Sequence, residues 1–233
     1  MKNYLVITGG SKGIGEKTVE YFMQQGWEAI NLSRTPCQLT NVKNITVDLS
    51  SLDDIAKQEN VLHETLKDAR AICLVHNAGY YKRDSINNPS VENLQLTLSV
   101  NVVAPVALNK IIIPLMKHGS SIIYIGSTLS EKAVPNGASY VVSKHAVVGL
   151  MRATCQDLAE KAIRSVCVCP GFVDTDMVKA NFDEKGLQQL VATKVLAKRL
   201  IEPAEIASVI HFAAISPVLN GIVIHANLGQ VAD

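Results

Sequence analysis

Tyr4-Leu5-Val6-Ile7-Thr8 runs directly into Gly9-Gly10-Ser11-Lys12-Gly13-Ile14-Gly15, and the reading of this junction decides the fold. The first five residues form a short β-branched and apolar run with no charge in it, the pattern of a strand covered on both faces. Beyond the glycines, Val19, Phe22 and Met23 recur three and four apart, which is one apolar stripe of a helix. The alternation continues outward. Strand-like runs fall at 28–32, 45–47, 71–76, 121–125, 165–169 and 221–225, most of them separated by stretches of helical periodicity. Strands and helices in alternation build βαβ units. The expected fold is therefore α/β, a doubly wound, mostly parallel seven-stranded sheet with helices on both faces. No repeat, low-complexity tract or Pro/Gly/Ser-rich linker breaks the chain, so one domain over residues 1–233 is expected.

Composition removes several classes of function. With 48% apolar and 18% charged residues, the chain has the apolar surface that a disordered protein lacks. Its 22 Lys+Arg against 21 Asp+Glu give a formal charge of +1, which supplies no basic field for nucleic acid or an anionic membrane surface. No uninterrupted apolar run approaches the roughly 20 residues that span a bilayer, and the N-terminus reads as a strand rather than a signal peptide. The five cysteines, Cys37, Cys73, Cys155, Cys167 and Cys169, form no CxxC pair and read as buried small hydrophobes in a reducing compartment. No metal site is expected, and the expected location is cytoplasmic.

The glycine-rich turn has a chemical use. A dinucleotide needs its pyrophosphate close to backbone N–H groups at a helix N-terminus, where side chains would block the approach. Gly9, Gly13 and Gly15 are spaced for a turn, an approach and helix packing. The end of the second strand should meet the adenosine ribose, where an acid selects a 2′-hydroxyl and an Arg accommodates a 2′-phosphate. Here the strand ends Ser33-Arg34 with no Asp or Glu at the position, and Lys12 in the turn is a second cation. The reading is NADP(H). Further along, Tyr140-Val141-Val142-Ser143-Lys144 lies in a helical stretch. A spacing of four puts Tyr140 and Lys144 on one face, and an ammonium beside a phenol favours its ionised form.

These segments together resemble the short-chain dehydrogenase/reductase family, nearly end to end. Residues 8–15 are similar to the family's cofactor turn, with Ser11, Lys12 and Ile14 inside it. Asp48-Leu49 is similar to its adenine-contacting pair, and His76-Asn77-Ala78-Gly79 to its Asn-Asn-Ala-Gly. Asn101, Ser127, Tyr140 and Lys144 stand in the order and at the intervals of its catalytic tetrad. Pro170-Gly171-Phe172-Val173-Asp174-Thr175 is similar to the segment that holds the nicotinamide end. The stretch 196–207 also resembles the 3-oxoacyl carrier-protein reductases.

The resemblance implies a Rossmann fold and an NADPH-dependent carbonyl reductase. It makes Tyr140 the proton donor, Lys144 the group that activates it and binds the nicotinamide ribose, and Ser127 a donor to the substrate oxygen. Asn101 is expected to hold a water that links Lys144 to solvent. Cofactor contacts are implied for Gly9, Ser11, Lys12, Gly13, Ile14, Gly15, Ser33, Arg34, Asp48, Leu49, Asn77, Ala78, Gly79, Tyr140, Lys144, Pro170, Gly171, Val173 and Thr175. The substrate is a small carbonyl or alcohol, acyl thioesters included, and Tyr80, Tyr81, Leu129, Val134, Phe172 and Met177 are expected near an apolar pocket. Lys179, Lys185, Lys194, Lys198 and Arg199 read as a solvated helix face, with a docking surface for an acidic carrier as the alternative. An NAD-dependent alcohol dehydrogenase and a non-catalytic NADP(H) sensor are the alternative readings. Apolar residues around the helix of Tyr140 and along 94–116 call for burial on more than one face, and the resemblance implies that these two helices form homodimer or homotetramer contacts. Two departures stand out. His76 occupies the place of an Asn and is expected to be structural, and Asn227-Leu228-Gly229 lacks a double glycine.

Overall fold

The structure is a computed structural model that describes residues 1–230; the last three residues of the expected domain lie outside the described residues. Strand β1 (Asn3–Thr8) leads through the glycine turn to α1 (Gly13–Gln24), then β2 (Glu28–Ser33) and β3 (Val42–Thr46). Two short helices, α2 (Leu52–Ala56) and α3 (Glu59–Leu66), precede β4 (Ala71–His76). The chain continues through α4 (Val91–Leu98), α5 (Ala104–Ile112), β5 (Ser121–Ile125), α6 (Ala138–Asp157) and β6 (Arg164–Pro170). It closes with α7 (Asp176–Lys179), α8 (Glu184–Lys194), α9 (Pro203–Ile215) and β7 (Val223–Ala226). The strand order is β3-β2-β1-β4-β5-β6-β7, and every pairing is parallel. The chain winds outward from β1 to β3, then returns to the middle and winds the other way from β4. The reversal between β1 and β4 opens a crevice at the carboxyl ends of these strands.

Apolar residues on the two sheet faces go to two cores. Leu5, Ile7, Cys73 and Val75 pack with Val19 and Phe22 of α1 and with Ile206 and Ile210 of α9. Val6, Ile72, Leu74 and Ile122 pack on the other face with Leu108 of α5 and Val147 and Met151 of α6. β5 is buried along its whole length, as a central strand covered on both faces should be. β7, expected at 221–225, spans Val223–Ala226, and β3 departs further from the sequence reading. It was expected at 45–47 but pairs over 42–46, because it is an edge strand in which only Ile45 is fully buried, so its apolar signal is weak.

The apolar stretch expected at 94–116 is a continuous helical run over Val91–Leu115, with a π-helical turn at Ser99–Val103 between α4 and α5. An 18-residue window of it has a mean hydropathy of 1.7, long and apolar enough to cross a membrane by length and composition, which differs from the sequence expectation, and 44% of that window is buried inside the fold. The interruptions that hid it are Asn93, Thr97, Asn101 and Asn109, all of them buried here against other parts of the fold.

His76 is a structural residue, as expected. Its Nε2 lies 2.9 Å from Asn109 Oδ1, its ring meets Tyr124 at 4.9 Å with a 32° tilt, and its Nδ1 is buried with no partner among the described residues. Burial pushes the imidazole down to about 4, against the opposing Asn109 hydrogen bond. The folded protein thus refuses a proton that the unfolded chain accepts near pH ~6.5. Stability conferred by neutral His76 is complete above that pH and is lost as pH falls toward 4, by about 3 kcal/mol over the window. Urea midpoints of wild type and His76→Asn at pH 7 and pH 4.5 test this. The variant should lose markedly less on acidification, and equal losses would reject the account.

Leu228 takes a left-handed backbone with φ of 53°, a conformation costing a non-glycine residue roughly 1–2 kcal/mol. The missing glycine is offset by packing, since the Leu228 side chain joins both the α1/α9 core and a small cluster around Leu187, Val191 and Val195. All five cysteines are free and buried.

Candidate active site

A cavity of about 720 Å³ occupies the crevice, and every residue expected to contact a cofactor lines it. Its floor is the glycine turn. A Cβ at Gly15 would stand 2.0 Å from the Gly9 carbonyl oxygen and 2.7 Å from Asn77 Nδ2, so helix α1 can start this close to β1 only with glycine there. Among the described residues no side chain caps the α1 N-terminus, which leaves its first N–H groups for an anion. Asn77 fastens the end of β4 to this turn. Its Nδ2 donates to Thr8 O and Gly9 O, both at 3.0 Å, while the N–H groups of Asn77 and Ala78 donate to Thr8 Oγ1 at 3.0 Å. Asn31 completes the frame by accepting the Gly10 N–H at 2.8 Å.

At the far end, Ser33 and Arg34 close β2, with Ser33 Oγ 3.4 Å from Ser11 Oγ. Asp48 accepts from the N–H and hydroxyl of Ser50 at 2.9 and 2.8 Å. Those bonds, with the Arg34 charge as a smaller contribution, hold its carboxyl below the ordinary aspartate range. Lys12 does not stand free beside Arg34. It forms a 2.9 Å ion pair with Asp176 of α7 across the cavity mouth, both side chains largely exposed.

Tyr140 and Lys144 lie one turn apart on α6 and face the same cavity as Ser127. Lys144 is 4% exposed, its Nζ donates to Ile125 O at 2.7 Å, and the ammonium stands 5.4 Å from the Tyr140 ring centre. Ser127 sits just beyond β5, where its Oγ accepts the Leu129 N–H at 3.1 Å and its own N–H donates to Ser130 Oγ at 3.1 Å. Gly126 makes that placement possible. A Cβ there would come within 2.6 Å of Cys169 Sγ and 2.8 Å of Cys167 Sγ. Among the described residues, no group of three His, Cys, Asp or Glu side chains could hold a metal ion.

Asn101 is the member of the four that does not reach the cavity wall. It is buried in the π-helical turn, its Oδ1 accepting the Tyr80 N–H at 2.7 Å. Its Nδ2 donates to Tyr80 O at 3.1 Å and to Ser143 Oγ at 2.9 Å. Its side chain therefore fixes backbone, although a side chain at Gly79 would begin 3.9 Å from both Asn101 Oδ1 and Lys144 Nζ, so the space between them is open. Of the expected apolar wall, Tyr80 and Met177 line the cavity. Tyr81 stands edge-on to Tyr140 at 4.9 Å, and Phe172 packs instead against Phe182 at 6.0 Å. Leu129 and Val134 are not on the wall either, and Val134 is exposed. Sequence reading missed Leu96, Val100 and Asp176 on the wall, residues in no recognisable motif, and placed Lys179, which also lines it, only on a basic surface.

The family described as enoyl-(acyl carrier protein) reductase matches residues 9–230. A 3alpha-hydroxysteroid dehydrogenase of Mediterraneibacter gnavus is 32% identical, with 90% of this chain and 88% of the relative covered. A 3-oxoacyl-(acyl-carrier-protein) reductase of Vibrio cholerae is 28% identical, covering 97% and 96%. The crystal structure of a short chain dehydrogenase family protein from Francisella tularensis superposes with a TM-score of 0.86 at 32% identity, over 98% of both chains. The chain belongs to the short-chain dehydrogenase/reductase family. It is an oxidoreductase of that family, and its fold is the Rossmann arrangement that the sequence implied. In this dehydrogenase/reductase the basic surface near the site is largely engaged within the chain. Lys179 pairs with Asp174 at 2.7 Å, and Arg199 makes two 2.7 Å contacts with Glu205.

Proposed function

We propose that this oxidoreductase is an NADPH-dependent carbonyl reductase with Tyr140 as proton donor. The observation that carries the reading is one cavity that holds the glycine cradle and Arg34 at one end and Ser127, Tyr140 and Lys144 at the other. The uncapped α1 N-terminus and the cradle that a Gly15 side chain would fill suit a pyrophosphate. The Arg34 guanidinium suits the 2′-phosphate. A nicotinamide held by these residues would supply the hydride for the carbonyl carbon. Ser127 directs its hydroxyl at the substrate oxygen, where negative charge develops, and Tyr140 gives that oxygen its proton. Lys144, held by Ile125 O, places its positive charge beside the phenol as the proton leaves.

Small ketones and aldehydes are the proposed substrates, with 3-oxoacyl thioesters among them in keeping with the Vibrio cholerae relative. Exposed Val103, Val106 and Val142 on the α4–α6 side support self-association, and five buried free thiols support a reducing, cytoplasmic setting. The cofactor reading is tested on Arg34→Ala. Loss of a charge-assisted contact of about 1.5–3 kcal/mol should weaken NADPH binding by roughly 10- to 100-fold. NADH binding should be almost unchanged. If wild type prefers NADH, or the variant weakens both cofactors alike, the 2′-phosphate assignment is wrong.

A further inference from the structure

The loop after β4 makes a contact with α6 that none of these roles uses. Asp84 forms an isolated parallel bridge with Gly137, its N–H donating to Asn136 O at 3.3 Å and its carbonyl accepting the Ala138 N–H at 3.4 Å. Its carboxylate is more deeply committed. Oδ1 accepts the Ser139 N–H at 3.0 Å, and Oδ2 accepts the Ser139 hydroxyl and, at 3.0 Å, the Asn93 amide from α4. Asn93 and Ser139 are both buried. The α6 N-cap is Gly137, which has no side chain to satisfy the first-turn donors, so Asp84 does so from a loop 55 residues earlier in the chain. Burial works against the charge, but the hydrogen bonds from Ser139 and Asn93 outweigh it and hold the carboxyl below the ordinary aspartate range.

We propose that Asp84 is a positioning residue for the reaction, fixing the first turn of α6 so that Tyr140, the residue after Ser139, presents its phenol to the cavity. The inference rests on the reading of Tyr140 as proton donor. The rest of α6 has its own anchors, since Val147, Val148 and Met151 are buried in the core and Lys144 is tied to Ile125. Losing the Asp84 contact therefore loosens the one turn that carries the phenol and leaves the helix in place. The same residue steadies the substrate side of the site. Tyr81, three residues before it, meets the Tyr140 ring at 4.9 Å, and the Arg83 guanidinium lies 5.8 Å from the ring centre of Phe182 between α7 and α8. Asp84 thus joins the loop, α4 and the start of α6 at one point.

The test uses Asp84→Asn, which keeps one acceptor, together with Ser139→Ala and the double variant, each assayed where circular dichroism shows it folded. The expected result is a 10- to 100-fold fall in kcat for Asp84→Asn, with the carbonyl KM and NADPH affinity within about threefold of wild type. The solvent deuterium isotope effect on kcat should rise as proton donation becomes limiting. The double variant should lose little more than the worse single one, because both remove one contact. A kcat within threefold of wild type with an unchanged isotope effect overturns the proposal. So does a loss shared equally by kcat and NADPH affinity, which marks general loosening. Tyr140→Phe assayed alongside separates the two ideas. Turnover that survives in Tyr140→Phe removes the proton donor itself, whereas turnover lost there but kept in Asp84→Asn removes only the positioning role.

Discussion

Tyr140→Phe is expected to lower turnover of a carbonyl substrate by about 10²–10⁴-fold, the usual worth of a positioned proton donor. The substitution deletes one oxygen and keeps the ring, so the edge contact with Tyr81 and the proximity of Lys144 survive. NADPH affinity should therefore stay within about threefold, and the thermal midpoint should hardly move. The decisive comparison is NADPH oxidation against NADPH binding in the same preparation. Binding without turnover supports the assignment, while turnover within threefold of wild type would show that another group delivers the proton.

Gly15→Ala is expected to be as damaging through a different cause. The new Cβ would be placed 2.0 Å from the Gly9 carbonyl oxygen, and backbone cannot step aside as the end of a flexible side chain can. It would also crowd Asn77 Nδ2, which fastens β4 to the turn. Forced overpacking of this kind costs typically 1–3 kcal/mol and sometimes more. The strain falls on the α1 N-terminus, so cofactor affinity should drop by at least about 100-fold, beyond what the shift in unfolding midpoint accounts for. Calorimetric titration with NADPH, beside a urea melt, separates the two effects. An alanine variant that binds NADPH as wild type does would mean that the turn does not hold the pyrophosphate.

The parts of the fold that depend on continuous apolar runs were legible in the residues. β4 and β5 lie where they were expected, because each is an apolar run buried on both faces, and even His76 and Ser121 at their ends are buried. β3 was displaced because an edge strand has only one residue, Ile45, that must be apolar. The cofactor end of the site was equally readable, since glycine spacing and a strand-terminal arginine express local backbone needs. What stayed hidden depends on contacts between residues far apart in the chain. Lys12 read as a free cation, yet its partner Asp176 lies 164 residues away. Asp84 sits in no motif, and only the fold brings it to Ser139. Asn101 was found by resemblance, but the use of its amide on Tyr80 and Ser143 follows from a helical irregularity that periodicity does not show.

The position of β1 in the sheet has a consequence for how the protein is made. Tyr4 of β1 pairs on one side with Glu28 and on the other with Ile72. A ribosome adding about 5–20 residues per second delivers the first neighbour quickly and the second several seconds later. During that delay this interior strand has one unpaired edge and two apolar faces, and the crevice beside it does not yet exist. The nascent chain thus passes this interval with the segment that later floors the catalytic cavity open to other chains, a natural point for a chaperone to act.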